Sequence, residues 1–206
     1  SFPDIRPYFY VQLLFCLGTN ALYEFYPLWL AVTFSTSSID IAFMAIVMTI
    51  SMIISSLFVV PYIDDRLSTP WGKNNLMIVA TLGLACVIFG VTLMPQYSLQ
   101  VLFTLAGLFI ALFNGLFSTL FAQRFGPRYG HGKVMGLSTT VFFLANIIIA
   151  LIGAILSAIN ITWPLILGAV CCALACVGLL LQQRRTRLLQ GSRSLRETSQ
   201  GRPQSP

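Results

Sequence analysis

Long apolar runs alternate with short polar segments along almost the whole chain. Six runs are visible, each bounded by charged residues, Pro or Gly. Each is roughly 18 to 26 residues long, which suits a helix that rises ~1.5 Å per residue across ~30 Å of hydrocarbon. Membrane-spanning strands would show alternating polarity over ~10 residues, which these runs lack. The predicted spans are residues 8–32, 41–63, 76–93, 99–122, 134–159 and 163–181.

The composition agrees with an integral membrane protein. Of the 206 residues, 57% are hydrophobic and 9% are charged, whereas a soluble domain carries about a quarter charged residues. Lipid as the solvent removes the need to hide so much apolar surface. We therefore predict an all-α transmembrane domain over residues 8–183. Residues 1–7 form a cytoplasmic lead-in, and residues 184–206 form a basic, disordered cytoplasmic tail.

The basic residues are confined to alternate connections. Each of the 12 Lys and Arg residues either precedes the first span or follows the second, fourth or sixth span. The other three connections contain none. Because successive spans alternate in direction, all of these charges fall on one face. The positive-inside rule makes that face cytoplasmic, so both chain ends are predicted to be inside. The net charge of +6 thus indicates topology rather than nucleic-acid binding.

Constellations typical of enzymes and metal sites are missing from the sequence. The single histidine, His131, lies in a polar loop, and there is no H-E-x-x-H motif, no pair of intramembrane aspartates and no Gly-rich phosphate loop. The 5 cysteines all lie in apolar runs and are interpreted as small packing residues. We expect no enzyme activity, no cofactor and no metal.

One carboxylate lies well inside a span. Glu24 would cost on the order of 3 kcal/mol in hydrocarbon, so it should face the bundle interior or a wet cavity. It is interpreted as a proton-coupling or cation-recognising group; the alternative is an acid that is merely hydrated near the outer interface. Asn20 lies one turn earlier on the same face, and Tyr23 flanks it. Asn114 and Asn146 either line a substrate cavity or form interhelical hydrogen bonds.

Glycines inside the spans predict close helix approach. Gly132 and Gly136 form a small-xxx-small step at the start of the fifth span. The other candidates are Gly107, Gly115 and Gly153.

The connection between the second and third spans mixes acidic and basic residues. Asp65, Arg66, Gly72 and Lys73 could form pairs that latch one conformation and break on transport. An ordinary solvated turn with positive-inside charges is the alternative.

These features resemble the C-terminal half of a major facilitator superfamily (MFS) transporter. Residues 23–30, YEFYPLWL, look like the seventh helix of the drug:proton antiporter and tetracycline-exporter branch, and residues 129–136, YGHGKVMG, are similar to its entry to the eleventh helix. Asp65 and Arg66 match the Asp-Arg of the family's cytoplasmic signature. Gly72 and Lys73 look like its Gly-Arg, at a spacing stretched by residues 68–71. The resemblance covers about residues 6 to 183.

The resemblance implies a six-helix bundle of two inverted three-helix repeats, half of a 12-helix MFS fold. The first and fourth spans would line a central cavity, and the second and fifth would lie against the N-terminal six-helix half. Its implied partners are the lipid bilayer, a small-molecule substrate and protons, but no nucleic acid. It implies alternating-access transport, with proton-coupled efflux across a bacterial inner membrane.

Two alternatives remain open at this point. The first is an MFS importer of a sugar or metabolite. The second is a non-transporting six-helix membrane assembly protein. Because the chain begins at Ser1 and shows no signal peptide, it is interpreted as a fragment or as one half of a larger protein.

Overall fold

The computed structural model describes residues 5–67 and 69–200, without the side chains of Pro70 and residues 186–200. Within these ranges the chain forms six long helices and no strand, which confirms the predicted all-α bundle. The second of these helices contains a π-helical turn at Ser55–Val59, just before Pro61, which cannot donate a backbone hydrogen bond. The helices are α1 (Arg6–Phe34), α2 (Ser38–Arg66), α3 (Pro70–Val91), α4 (Leu99–Tyr129), α5 (His131–Ile159) and α6 (Trp163–Gln200).

Among the described helices, α2 to α6 are long and apolar enough to cross a membrane. The α1 helix has 29 residues, which is long enough, but Gln12, Asn20 and Glu24 make it more polar than the others. It packs between α5 and α6, so neighbouring helices rather than lipid surround much of its surface. This position explains how a polar helix is accommodated in an apolar bundle. The five apolar helices identify an integral, multi-pass membrane protein.

Several helices extend beyond the predicted hydrophobic limits. The α4 helix continues to Tyr129, past the predicted end at residue 122, and its last turns carry the basic residues of that connection. The α6 helix continues to Gln200, past the predicted end of the sixth span at residue 181. Propagating an existing helix needs no new nucleus, and Arg, Leu and Gln favour helix. The remaining tail, residues 201–206, lies outside the described residues.

The α1 and α6 helices pack closely and meet through small side chains. A Cβ atom at position 18 would collide with Sγ of Cys172 and lie 2.8 Å from the carbonyl oxygen of Gly168. Conversely, a Cβ atom at position 168 would lie 2.8 Å from Cβ of Ala21. Small residues of this kind let helix backbones approach in membranes.

We expect Gly18→Ala to destabilise the bundle by about 1–3 kcal/mol, because the added methyl group has no space at the α1–α6 contact. Gly90→Ala is the matched control, since its Cβ atom would lie 3.8 Å from the Leu102 side chain, an ordinary contact. Thermal unfolding of the purified protein in detergent measures both. Equal melting temperatures for the two variants would contradict the tight contact.

The glycines selected from the sequence divide into two groups. A Cβ atom on Gly107 would lie 2.5 Å from the Met48 carbonyl oxygen, and one on Gly115 would lie 2.6 Å from the Val60 side chain. Gly153 supports the ring of Phe25. These three therefore permit close approach as predicted. The two remaining glycines are Gly132 and Gly136. A Cβ atom on either would have no described atom of another helix within 4 Å, so neither makes a close helix contact within this bundle.

Aromatic rings fill the space between α1 and α4. Phe15 stacks on Phe113 with ring centroids 3.6 Å apart and an interplanar angle of 17°. Tyr26 contacts Phe103 at 5.0 Å towards the other end of the pair. On α4, Phe113 begins a ladder of rings spaced four residues apart, the separation that stacks side chains on one helix face. The ladder comprises Phe113, Phe117, Phe121 and Phe125.

Two helices present broad apolar surfaces that the described chain leaves uncovered. In the most apolar 18 residues of each helix, only 22% are buried in α2 and 17% in α5. In α4 and α6 half of these residues are buried. The exposed side chains include Leu57 and Phe58 on α2 and Leu151 and Ile155 on α5. These surfaces must contact lipid or another helical unit.

Candidate functional site

A stripe of polar groups follows one side of α1. Asn20 and Glu24 are four residues apart, so they lie one above the other on the helix surface. Pro27 lies inside α1 and supplies no N–H, so the carbonyl oxygen of Tyr23 loses its intrahelical donor. In a membrane such a carbonyl is tolerated where it lies within protein or faces a water-filled cavity. The α1 sequence thus concentrates four polar groups within two helical turns: the side chains of Asn20, Tyr23 and Glu24 and the carbonyl oxygen of Tyr23.

The three α1 side chains have different surroundings. Asn20 is 3% exposed, and its Nδ2 atom has no hydrogen-bond partner among the described residues. Tyr23 is half-buried and its hydroxyl donates to Sδ of Met52 on α2, 2.7 Å away. Glu24 is exposed. The carboxylate therefore points out of this six-helix bundle rather than into its packed interior.

Contacts between α1 and α5 define their relative height. Nε2 of Gln12 donates to the Ser138 carbonyl oxygen over 3.2 Å, and Gly153 lies against Phe25. Because the two helices run in the same direction, Asn146 lies at nearly the same height as Asn20. Asn146 is half-buried. The structure thus places these two amides at one level of the bundle.

Asn114 lies at a different level from Glu24. Its neighbour Phe113 stacks on Phe15, so Asn114 lies beside the first half of α1, about 14 Å along the helix axis from Glu24. The Asn114 side chain is exposed although the α4 residues on either side, Phe113 and Leu116, are fully buried. The predicted site residues therefore do not form one cluster, because Asn114 lies at a separate level of the bundle.

This arrangement supplies hydrogen bonds and one ionisable group rather than covalent chemistry. The amides and the tyrosine hydroxyl can donate and accept hydrogen bonds, and Glu24 can bind a proton or a cation. Among the described residues, no group of three or more His, Cys, Asp or Glu could hold a metal ion. The site is suited to recognise and release a small molecule.

The connection between α2 and α3 forms an ion pair that the sequence did not single out. Lys73, 6% exposed, pairs with Asp64, whereas the neighbouring Asp65 is exposed. Arg66 lies over the ring of Tyr62, 4.9 Å from its centroid. Gly72 donates its N–H to the Thr69 hydroxyl over 3.3 Å, which caps α3.

Replacing Lys73 with Met is expected to destabilise the chain by about 1–2 kcal/mol, because it leaves the half-buried Asp64 carboxylate without its partner. Asp65→Asn should change stability by less than about 0.5 kcal/mol, since that side chain is exposed. Adding Asp64→Asn to Lys73→Met should recover part of the loss. Melting temperatures of the purified variants would test this. A larger loss of stability for Asp65→Asn than for Lys73→Met would contradict the Lys73–Asp64 ion pair.

Two further polar contacts of α1 were not predicted from the sequence. Gln12 is 7% exposed and also bonds the Ser138 hydroxyl. Nη1 of Arg124 donates to the Tyr8 hydroxyl over 2.7 Å, and its guanidinium lies 5.3 Å from the centre of the same ring. Gln12 was detectable as an amide inside an apolar run, whereas the Tyr8 pairing depends on how α1 and α4 are aligned.

The fold and the site define a helical membrane protein with a polar face suited to small-molecule recognition. The family model of the Major Facilitator Superfamily matches residues 8–202. The chain belongs to this family, whose members are membrane transporters rather than enzymes. Comparison with curated proteins and with solved structures found no match.

Proposed function

We propose that this chain is half of a secondary transporter that moves a small organic molecule by alternating access, as proton-coupled efflux. The carrying observation is the exposed Glu24 carboxylate within a helix otherwise surrounded by apolar spans. In this proposal Glu24 exchanges protons, and Asn20, Tyr23 and Asn146 contact the substrate at nearly the same level. Asn114 contacts it nearer the basic end of the bundle.

The proposal includes an N-terminal six-helix half as partner. It is supported by the uncovered apolar surfaces of α2 and α5, and by Gly132 and Gly136, which have open space around them. A second half placed against these surfaces would enclose the polar stripe of α1 between two bundles. The drug:proton antiporter branch is the preferred assignment because its seventh-helix pattern resembles residues 23–30.

The same proposal places both chain ends in the cytoplasm of a bacterial cell and the spans in its inner membrane. It is supported by the distribution of the 12 basic residues. The Lys73–Asp64 pair would then lie at the cytoplasmic surface, where it can hold α2 and α3 together in one of the two transport states.

Cysteine accessibility tests alternating access without altering Glu24. Leu17→Cys lies two turns before it on the same helix face and Leu28→Cys one turn after it. Both are introduced into the full transporter lacking Cys86, the exposed native cysteine. Without substrate, a membrane-impermeant maleimide should label both positions from one side of the membrane. With substrate, labelling from that side should decrease and labelling from the other side should increase. Leu174→Cys, on the exposed side of α6, should stay unlabelled. Positions that are closed from both sides under all conditions would favour an assembly role.

A further inference from the structure

A cavity lies at the opposite end of the bundle from the basic residues that the structure describes. Its volume is about 390 Å³, within the ~300–1,000 Å³ typical of small-molecule sites. It opens between the start of α2 and the connection that leads into α4. No α1 residue lines it, so it is distinct from the polar stripe described above. The lining residues are Asp40, Phe43, Met44, Gln96, Tyr97 and Gln100.

The cavity contains one charged group in a fixed orientation. The Ser37 hydroxyl donates to Oδ2 of Asp40 over 2.8 Å and accepts the Asp40 backbone N–H over 3.2 Å. These two bonds hold the carboxylate in the first turn of α2. The helix amino terminus contributes about half a positive charge, which offsets only part of the negative charge of Asp40.

Among the residues that the structure describes, no Lys or Arg lines this cavity beside Asp40. The three connections at this end contain no Lys or Arg. The nearest basic residue along α2 is Arg66, roughly 40 Å of helix away, which is several Debye lengths at physiological salt. None of the described basic side chains therefore supplies a cation to this carboxylate, which leaves it available to a bound ligand.

Two aromatic rings flank the carboxylate and remain uncovered. Tyr97 is 84% exposed and Phe43 is 51% exposed. Neither ring pairs with another aromatic ring in the described part of the chain. A carboxylate beside open aromatic faces is the chemistry that recognises an organic ammonium ion, because the ring face attracts the cation while the ring also covers its apolar body. The side-chain oxygens of Gln96 and Gln100 can accept its N–H groups.

We propose that this cavity binds an organic ammonium ion, with the charged nitrogen at Asp40 and the apolar body against Phe43 and Tyr97. The cavity lies where the helices end, which is the level of lipid headgroups as well as of water. The ammonium group is therefore supplied by a free amine or by an aminophospholipid headgroup. This site is independent of the role assigned to Glu24.

The test uses the full transporter carrying Glu24→Gln, so that the α1 carboxylate does not bind the probe. Binding of radiolabelled benzylammonium is measured in phosphatidylglycerol nanodiscs, with empty discs as the blank and neutral benzyl alcohol as competitor. We expect Asp40→Asn to weaken binding about tenfold or more, and Asp40→Glu to retain it within about threefold. Tyr97→Leu should weaken binding several-fold, and its large exposure makes misfolding an unsuitable explanation for the loss.

Repeating the measurement in phosphatidylethanolamine discs separates the two sources. Benzylammonium binding that persists there identifies a free amine as the ligand. If the parent protein, which keeps Asp40, loses benzylammonium binding in phosphatidylethanolamine discs, the headgroup amine competes for the site and the lipid is the ligand. The proposal is overturned if Asp40→Asn and Tyr97→Leu bind benzylammonium as well as their parent does. It is also overturned if the parent binds none in either kind of disc.

Discussion

Glu24→Gln is expected to lower proton-driven transport at least tenfold while leaving substrate exchange largely intact. Glutamine has nearly the same size and hydrogen-bonding capacity as glutamic acid, but it cannot bind or release a proton. If Glu24 carries the coupling proton, the variant still binds substrate and changes conformation, and only the energetic link to the pH gradient is lost. Proteoliposomes of the full transporter distinguish these activities, because flux is measured with an imposed gradient and exchange is measured without one.

Glu24→Asp supplies the matched control for that experiment. It keeps an ionisable carboxylate at the same position on a shorter side chain, so proton-driven flux should return at least in part. Full proton-driven flux in Glu24→Gln would remove this residue from the mechanism. Equal loss of exchange and of driven flux would instead assign Glu24 to substrate binding, because both activities need an occupied site.

The helices could be predicted because hydrophobic thickness imposes a common length on every span. Apolar runs and polar connections therefore located all six, and the helix ends differ mainly where the chain leaves hydrocarbon. The α4 helix continues through Arg124 and Arg128 to Tyr129, since nothing at residue 122 breaks a helix once its side chains reach the polar interface. Hydropathy marks the limits of the apolar solvent, not those of the hydrogen-bonded backbone.

The grouping of the site residues could be predicted only within one helix. Asn20 and Glu24 share a face because four residues complete about one turn. The height of Asn114 depends on the stacking of Phe15 on Phe113, a long-range contact that no local pattern records. Likewise, the sequence indicated only that acidic and basic residues of the α2–α3 connection could pair, and the structure pairs Lys73 with Asp64 rather than with Asp65. Adjacent helical residues point about 100° apart, so the choice is decided by how α2 and α3 are rotated.

Small-residue packing shows the same limitation. Gly132 and Gly136 have the spacing of a helix-contact motif, yet no described atom approaches them. Gly18 and Gly168, which the sequence analysis did not select, form a tight contact between helices far apart in the sequence. Spacing on one helix identifies a surface that permits close approach, but the approach itself requires a second helix on that side.

The largest loss of stability is expected for Phe113→Ala, about 2–4 kcal/mol. Phe113 is 0% exposed and stacks on Phe15 and Phe117, so truncation leaves a void between α1 and α4. In water-soluble cores Phe→Ala costs 3–5 kcal/mol, of which part is transfer from water. In a membrane the unfolded helices still contact lipid, so much of the transfer contribution is absent. The lost ring contacts and the void remain, and together they set the expected magnitude.

Phe89→Ala on α3 is the matched control, because it removes the same ring from a position that is 50% exposed. Lipid can fill the space left by Phe89, but it cannot enter the stacked layer around Phe113. We therefore expect a change below about 1 kcal/mol for Phe89→Ala. Unfolding of both variants by denaturing detergent would measure the difference. If the two substitutions cost the same, the aromatic layer between α1 and α4 would be no better packed than the lipid-facing surface, and the alignment that places Asn114 away from Glu24 would lose its support.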